Sequence, residues 1–171
     1  MNALFETIAE SPEAGGVHAH FARLMRRLDG GAHDSVALSS FLVSWRTQQG
    51  DVCLDLREVA GKSVGEALDG GLTSLPDSIL ATKLPSLKQW MRQLAGSQVV
   101  GKPGEEKPLV LDGRGRLYLF RYHEYQDIIA GGIVRRAGSP FLDVNDEKVR
   151  ALLDGFFPLT QGVDMQRMAA V

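Results

Sequence analysis

Between Pro108 and Arg121 the sequence spells a β-hairpin, the local pattern that most restricts how this chain can fold. Leu109-Val110-Leu111 and Leu117-Tyr118-Leu119-Phe120 face each other across Asp112-Gly113-Arg114-Gly115, four residues of which the glycines and the aspartate tolerate positive φ. Directly after it, Tyr122, Tyr125, Ile129 and Ile133 recur at helical spacing, so the hairpin feeds a helix, with Gly131-Gly132 as its weak point. A hairpin packed with its following helix is the expected unit of this half of the chain.

The N-terminal third carries the other periodicity. Val17, Phe21, Leu24, Met25 and Leu28 form one apolar stripe of a helix that Gly30-Gly31 ends. Leu38, Phe41, Leu42 and Trp45 make a second stripe, with Asp34 or Ser35 placed as N-cap and Gly50 as stop. Two such helices joined by a brief turn predict an antiparallel pair. Val52-Cys53-Leu54-Asp55-Leu56 reads as a short strand or an extended piece packed on the helices. Leu84, Leu87, Trp90, Met91 and Leu94 give a further amphipathic helix closed by Gly96. Glycines and prolines mark Ala60–Pro85 and Gly96–Pro108 as loops, and short helical pieces are expected at Asp146–Asp154 and from near Val163 to the last residue. The fold class is therefore α+β: a predominantly helical domain with a β-hairpin and a short additional strand. Its expected layout is helices over 1–50, strand and loop over 51–84, helix over 85–96, hairpin and helix over 108–137, and helix over 146–154.

Charge narrows the partners. Nineteen Lys and Arg against twenty-one Asp and Glu leave a formal charge of −2 over 171 residues, so any contact with a polyanion must be local. The lone Cys53 can form no internal disulfide and supplies no cysteine-rich zinc site. No apolar run reaches the roughly 20 residues that span a bilayer, and the start, MNALFETIAESPEAGG, lacks the features of a secretory signal. A cytoplasmic protein without a membrane role is expected.

Gly61-Lys62-Ser63 resembles the tail of a phosphate-binding loop, but Leu56 stands where the first glycine is needed, so it is rejected as a nucleotide site. His18 and His20, two residues apart, point to different faces of a helix and cannot chelate together; with His33 and His123 they are expected to be packing or surface residues. Cys53, without a basic neighbour in sequence, reads as a small buried hydrophobe. Asp55 is expected to face solvent or a local hydrogen bond, and Asp112 to serve the turn. Neither HExxH nor GxSxG occurs, so no catalytic or metal-binding residue is assigned. Tyr118, Phe120 and Tyr122 alternate with Leu117, Leu119 and Arg121, so an aromatic face near Arg114, Arg116 and Arg121 could stack single-stranded bases. The competing reading, an aromatic row in the core with solvated arginines, is favoured.

The succession Val52-Cys53-Leu54-Asp55-Leu56, Pro108-Leu109-Val110-Leu111-Asp112-Gly113, Leu117-Tyr118-Leu119-Phe120-Arg121-Tyr122 and Glu124-Tyr125 resembles the N-terminal region of the exodeoxyribonuclease V alpha subunit, the RecD helicase family. Leu153, Phe156, Phe157 and Pro158, then Asp164, Gln166, Arg167 and Ala169, look like the segment before that family's motor. The resemblance implies a non-catalytic docking domain over 1–158 and the start of the motor segment over 159–171, with the first ATPase motif expected beyond Val171. It implies a whole subunit that is an ATP- and magnesium-dependent superfamily 1 helicase, moving 5′ to 3′ in a helicase and nuclease that repairs double-strand breaks. The implied partners are the gamma (RecC) and beta subunits, with DNA in the full complex. The isolated domain is expected to expose apolar surface prone to self-association. Gln166 matches the glutamine that contacts adenine in this helicase class, with Met165 where an aromatic residue often precedes it; an amide offers both a donor and an acceptor to the base edge. The alternative to docking is direct single-strand DNA binding by the hairpin, and no pocket of convergent titratable groups can be assembled for an unrelated enzyme.

Overall fold

The computed structural model describes residues 2–14, 16–138, 145–157, 165 and 168. The chain forms two compact units, Met1–Ile129 and Ala130–Val171. The first holds α1 (Asn2–Ala9), α2 (Val17–Leu28), α3 (Asp34–Gln48), β1 (Leu54–Asp55), α4 (Leu56–Val59), α5 (Val64–Ala67), α6 (Asp77–Leu80), α7 (Leu87–Ala95), β2 (Val100–Gly101), β3 (Leu109–Leu111) and β4 (Arg116–Leu119). It also holds the start of α8 (Phe120–Ala137), and α9 (Asp146–Phe156) lies in the second unit. The fold is α+β and mostly helical, with one small mixed sheet.

The centre of the first unit is α3. Every residue from Ser35 to Val43 is buried, so this helix is surrounded on all sides, a wider burial than its apolar stripe implies. Its serines fit because the Ser39 and Ser40 hydroxyls donate to the carbonyls of Ser35 and Val36 at 2.6 and 2.7 Å, the return bond a helical serine makes when no water is near. The Trp90 indole of α7 then donates to the Ser39 oxygen at 2.7 Å. Neither Asp34 nor Ser35 is the N-cap: the helix begins at Asp34, after an extended His33 that makes no side-chain cap. The His33 ring is held by Asp29 at 3.0 Å.

Helices α2 and α3 run antiparallel, since His18 near the start of α2 meets Ser44 and Gln48 near the end of α3. The stripe expected to be core is buried only along one edge, at Met25 and in part at Phe21. Val17, Leu24 and Leu28 are 69%, 43% and 52% exposed, while His18, Ala19, Ala22 and Met25 are buried. Ala19 and Ala22 lie on the buried side, and a stripe defined by large apolar residues overlooks such small side chains.

The sheet order is β1-β4-β3-β2. The hairpin forms in the expected register, Leu109 opposite Leu119 and Leu111 opposite Leu117. Gly115, at φ +81°, supplies the positive-φ position of the connection. The strand expected at 52–56 is shorter, pairing only at Leu54 and Asp55 with Leu117 and Arg116. It stops there because the Asp55 side chain accepts from the Arg57 N–H and caps α4. β2, parallel to β3, lies inside the stretch read as a loop. The other expected loop, Ala60–Pro85, is packed: it contains α5 and α6 and buries Val64, Leu68, Leu72 and Leu75.

Helix α8 continues through Gly131-Gly132 without a break. Of its side chains His123 is buried, whereas Tyr125, Ile128 and Ile129 are exposed; the expected packing of this stripe is absent among the described residues. Asn145 caps α9 by accepting from the Lys148 N–H. Met165 and Met168 are helical and exposed, while Pro158, Asp164, Gln166, Arg167 and Ala169 lie outside the described residues. No described helix is long and apolar enough to cross a membrane.

Candidate functional site

The hairpin residues do not converge on an open platform. β4 ends at Leu119, so Tyr118 belongs to the sheet while Phe120 and Tyr122 turn with the first coil of α8, and the expected alternation is lost. Tyr118 is 1% exposed, its ring edge-on to His123 at 5.2 Å, and burial raises its phenol above the usual value. Arg116 lies 5.8 Å from that ring and is held by Asp112, with Nε to Oδ2 at 2.7 Å. Burial pushes the Asp112 carboxyl up, but the Arg116 N–H and guanidinium and the Arg114 N–H outweigh it and hold it below its ordinary range. Arg114 and Arg121 are exposed, and Arg121 stacks 5.9 Å from the Tyr122 ring. Base stacking needs an open ring face, and Tyr118 offers none.

Other candidates resolve into structural parts. Ser63 accepts from the Glu66 N–H while Glu66 accepts from the Ser63 N–H, a capping box that starts α5; the Gly61-Lys62-Ser63 tripeptide is therefore a helix start. His18 is buried, with Nδ1 2.8 Å from the Ser44 hydroxyl and Nε2 2.6 Å from the Gln48 oxygen. Its ring is edge-on to Phe41 and Trp45. Burial raises the Cys53 thiol, the opposite of what a nucleophile needs. Asp55 is lowered by its hydrogen bond from Arg57, the local partner expected for it. Among the described residues no group of three or more His, Cys, Asp and Glu side chains could hold a metal.

Asp29 joins three elements. At the end of α2 it accepts from the Ser97 hydroxyl at 2.6 Å, the Gln98 N–H at 2.9 Å and the His33 ring at 3.0 Å. Burial raises this carboxyl, and those donors together bring it below the usual aspartate value.

The outward side of α2 is what sequence reasoning missed. In VHAHFARLMRRL there are three arginines and no acid, a signal available from composition alone. Glu6 of α1 takes two of them, Arg23 at 3.0 Å and Arg26 at 3.1 Å. With Arg27, Gly30 and Gly31 these arginines line an open depression of about 400 Å³. On another face of the helix Val17, Leu24 and Leu28 form an exposed apolar row. Apolar side chains grouped on an exterior face suit recognition.

Comparison with known proteins places part of the chain in a family. Residues 16–118, more than half of the chain, match the family described as RecBCD enzyme subunit RecD, N-terminal domain. The span runs from just before α2 into β4 and so includes both the α2 row and the arginine depression. No protein of curated function matches the chain.

Proposed function

Because the chain belongs to the family of RecD N-terminal domains of the RecBCD enzyme, we propose that it is the docking domain of that helicase subunit, holding it against the gamma (RecC) and beta subunits. The observation that carries this reading is the apolar row of α2, turned outward within the family-matched segment. A folded domain that leaves Val17, Leu24 and Leu28 outside while burying alanines on the opposite face has surface to cover by assembly. The exposed Tyr125, Ile128 and Ile129 of α8 support the same reading. ATP and magnesium chemistry, and movement on DNA, belong to the motor part of such a subunit, and by resemblance alone Gln166 is the residue proposed for its adenine contact.

The experiment is capture of the tagged chain by the gamma and beta subunits, with ATPase activity and oligonucleotide anisotropy measured on the same preparation. Capture of the gamma subunit without ATP turnover is expected. Failure to bind either subunit, or turnover by this chain, refutes the docking role. Oligonucleotide binding at low salt without subunit capture replaces it with the single-strand DNA reading and moves attention to Arg114, Arg121 and Tyr122.

A further inference from the structure

We propose that the cleft between α7, the end of β2 and the hairpin turn receives a segment of a partner protein that carries aliphatic side chains and carboxylates together. This goes beyond the docking reading and stands without it.

β2 and β3 are parallel, so the chain leaves both strands at the same end of the sheet. The connection over 102–107 and the Asp112-Gly113 turn therefore flank one opening. α7 closes its third side, since a Cβ built on Gly115 would lie 3.6 Å from the Met91 sulfur. The resulting cleft measures about 590 Å³ and is open to solvent, within the roughly 300–1,000 Å³ typical of ligand sites. Met91, Ala95, Val100 and Leu111 give it an apolar lining. Its outer wall is built in advance. Gly104 turns the connection at φ +90°, the Glu105 N–H donates to the Lys102 carbonyl at 3.0 Å, and the Glu105 carboxylate accepts from the Lys102 N–H at 3.1 Å. A Cβ on Gly101 would come within 3.0 Å of the Glu105 Cβ, so the connection lies directly against β2.

The charges of this cleft are unbalanced. Arg92 of α7 and Lys102 of the connection both line it and are exposed, and among the described residues neither side chain has an acidic partner. Lys107 reaches only the Val100 carbonyl, at 3.2 Å. Of the two acids in the lining, Asp112 is already paired with Arg116. Glu105 alone therefore faces three cations, an excess of two positive charges beside an apolar surface.

The two features together select among ligands. A phosphate backbone would use Arg92 and Lys102 and leave the apolar lining wet. An uncharged apolar segment would cover the lining and take water from the cations without supplying a counter-charge. A segment with aliphatic side chains and neighbouring carboxylates satisfies both, by apolar burial at the centre and complementary charge at the rim. The open side favours a chain passing through over a small molecule, which a ligand pocket would enclose almost entirely.

The test titrates the full chain into fluorescein-labelled peptides of equal length that alternate leucine with glutamate, leucine with lysine, or serine with glutamate. Saturable binding of the leucine–glutamate peptide alone is expected. Lys102→Glu, which reverses a rim charge, and Ala95→Gln, which fills the cleft without changing charge, are each expected to weaken it about tenfold or more. Their thermal unfolding midpoints stay unchanged because both side chains are exposed. Lys148→Glu, the same charge change on exposed α9 surface, leaves binding intact. No binding of the leucine–glutamate peptide, equal binding of either other peptide, or full binding by Lys102→Glu and Ala95→Gln overturns this inference; the docking role is read separately, by subunit capture. Displacement of the peptide by a single-stranded oligonucleotide that binds Ala95→Gln as well as the unaltered chain assigns the cations to nucleic acid and also overturns it.

Discussion

Asp29 tests how the first unit is tied together. It is buried at the C-terminal end of α2, where a carboxylate meets the negative end of the helix dipole and is disfavoured. Three donors from the α3 entry and the α7–β2 connection offset that cost. Asp29→Ala removes the acceptor of the Gln98 N–H and the main acceptor of the Ser97 hydroxyl. A hydrogen bond to a charged group contributes about 1.5–3 kcal/mol, and a stranded buried donor costs about 1–3 kcal/mol. Half-exposed His33 and the part-buried Gln98 N–H can turn to water, so only the Ser97 bond counts in full and the expected loss is about 2–4 kcal/mol. That is a large fraction of the roughly 5–15 kcal/mol that holds a domain together. Asp29→Asn keeps one oxygen for Ser97 and Gln98 and turns its amide toward His33, which can accept as the other tautomer. With dipole repulsion relieved, its expected cost is about 1 kcal/mol. Urea denaturation with an unchanged slope measures both. A loss below about 1 kcal/mol for the alanine variant, or equal losses for the two, refutes the role given to this carboxylate.

Other consequences follow from the same geometry. Ser39→Ala leaves the buried Trp90 indole N–H without its acceptor and is expected to cost about 1–3 kcal/mol in the same denaturation assay. A Cβ built on Gly131 or Gly132 meets nothing within 4 Å, so Gly131→Ala and Gly132→Ala each stabilise α8 by about 1 kcal/mol, read as slower amide exchange along it; faster exchange contradicts an unbroken helix. Asp29 and Asp112 both hold their protons less tightly when folded than when unfolded. The unfolded chain therefore takes up protons first, so their contribution is fully present above the unfolded aspartate pKa, about 3.9, and is lost as pH falls through the lower folded values. Urea midpoints from pH 6 down to pH 2 should fall less steeply in Asp29→Asn and Asp112→Asn than in the unaltered protein.

What the sequence disclosed was local. The Leu109–Leu119 hairpin and the Trp90 helix could be read because turn residues and apolar spacing lie within a dozen positions of one another. β2 could not, since two residues, Val100 and Gly101, are a strand only by pairing in parallel with β3 across a connection. The α2 stripe misled in part for a different reason: Ala19 and Ala22 are buried beside His18 and Met25, and small side chains carry little weight in a hydrophobic pattern. Alternation groups Tyr118 with Phe120 and Tyr122 and leaves DNA stacking as the less favoured reading; the burial of Tyr118 agrees with the favoured core reading, while the first turn of α8 breaks the alternation after Leu119. The arginine depression needs Glu6 from α1 beside Arg23 and Arg26, a contact across 17 and 20 positions.

Amide exchange of this chain with and without the gamma and beta subunits tests the docking role most directly. The account predicts slowed exchange on binding over Val17–Leu28 and the neighbouring Gly30-Gly31 turn, while the hairpin around Arg114 and Arg116 is unchanged. Binding that protects the hairpin and leaves α2 as in the free chain contradicts it.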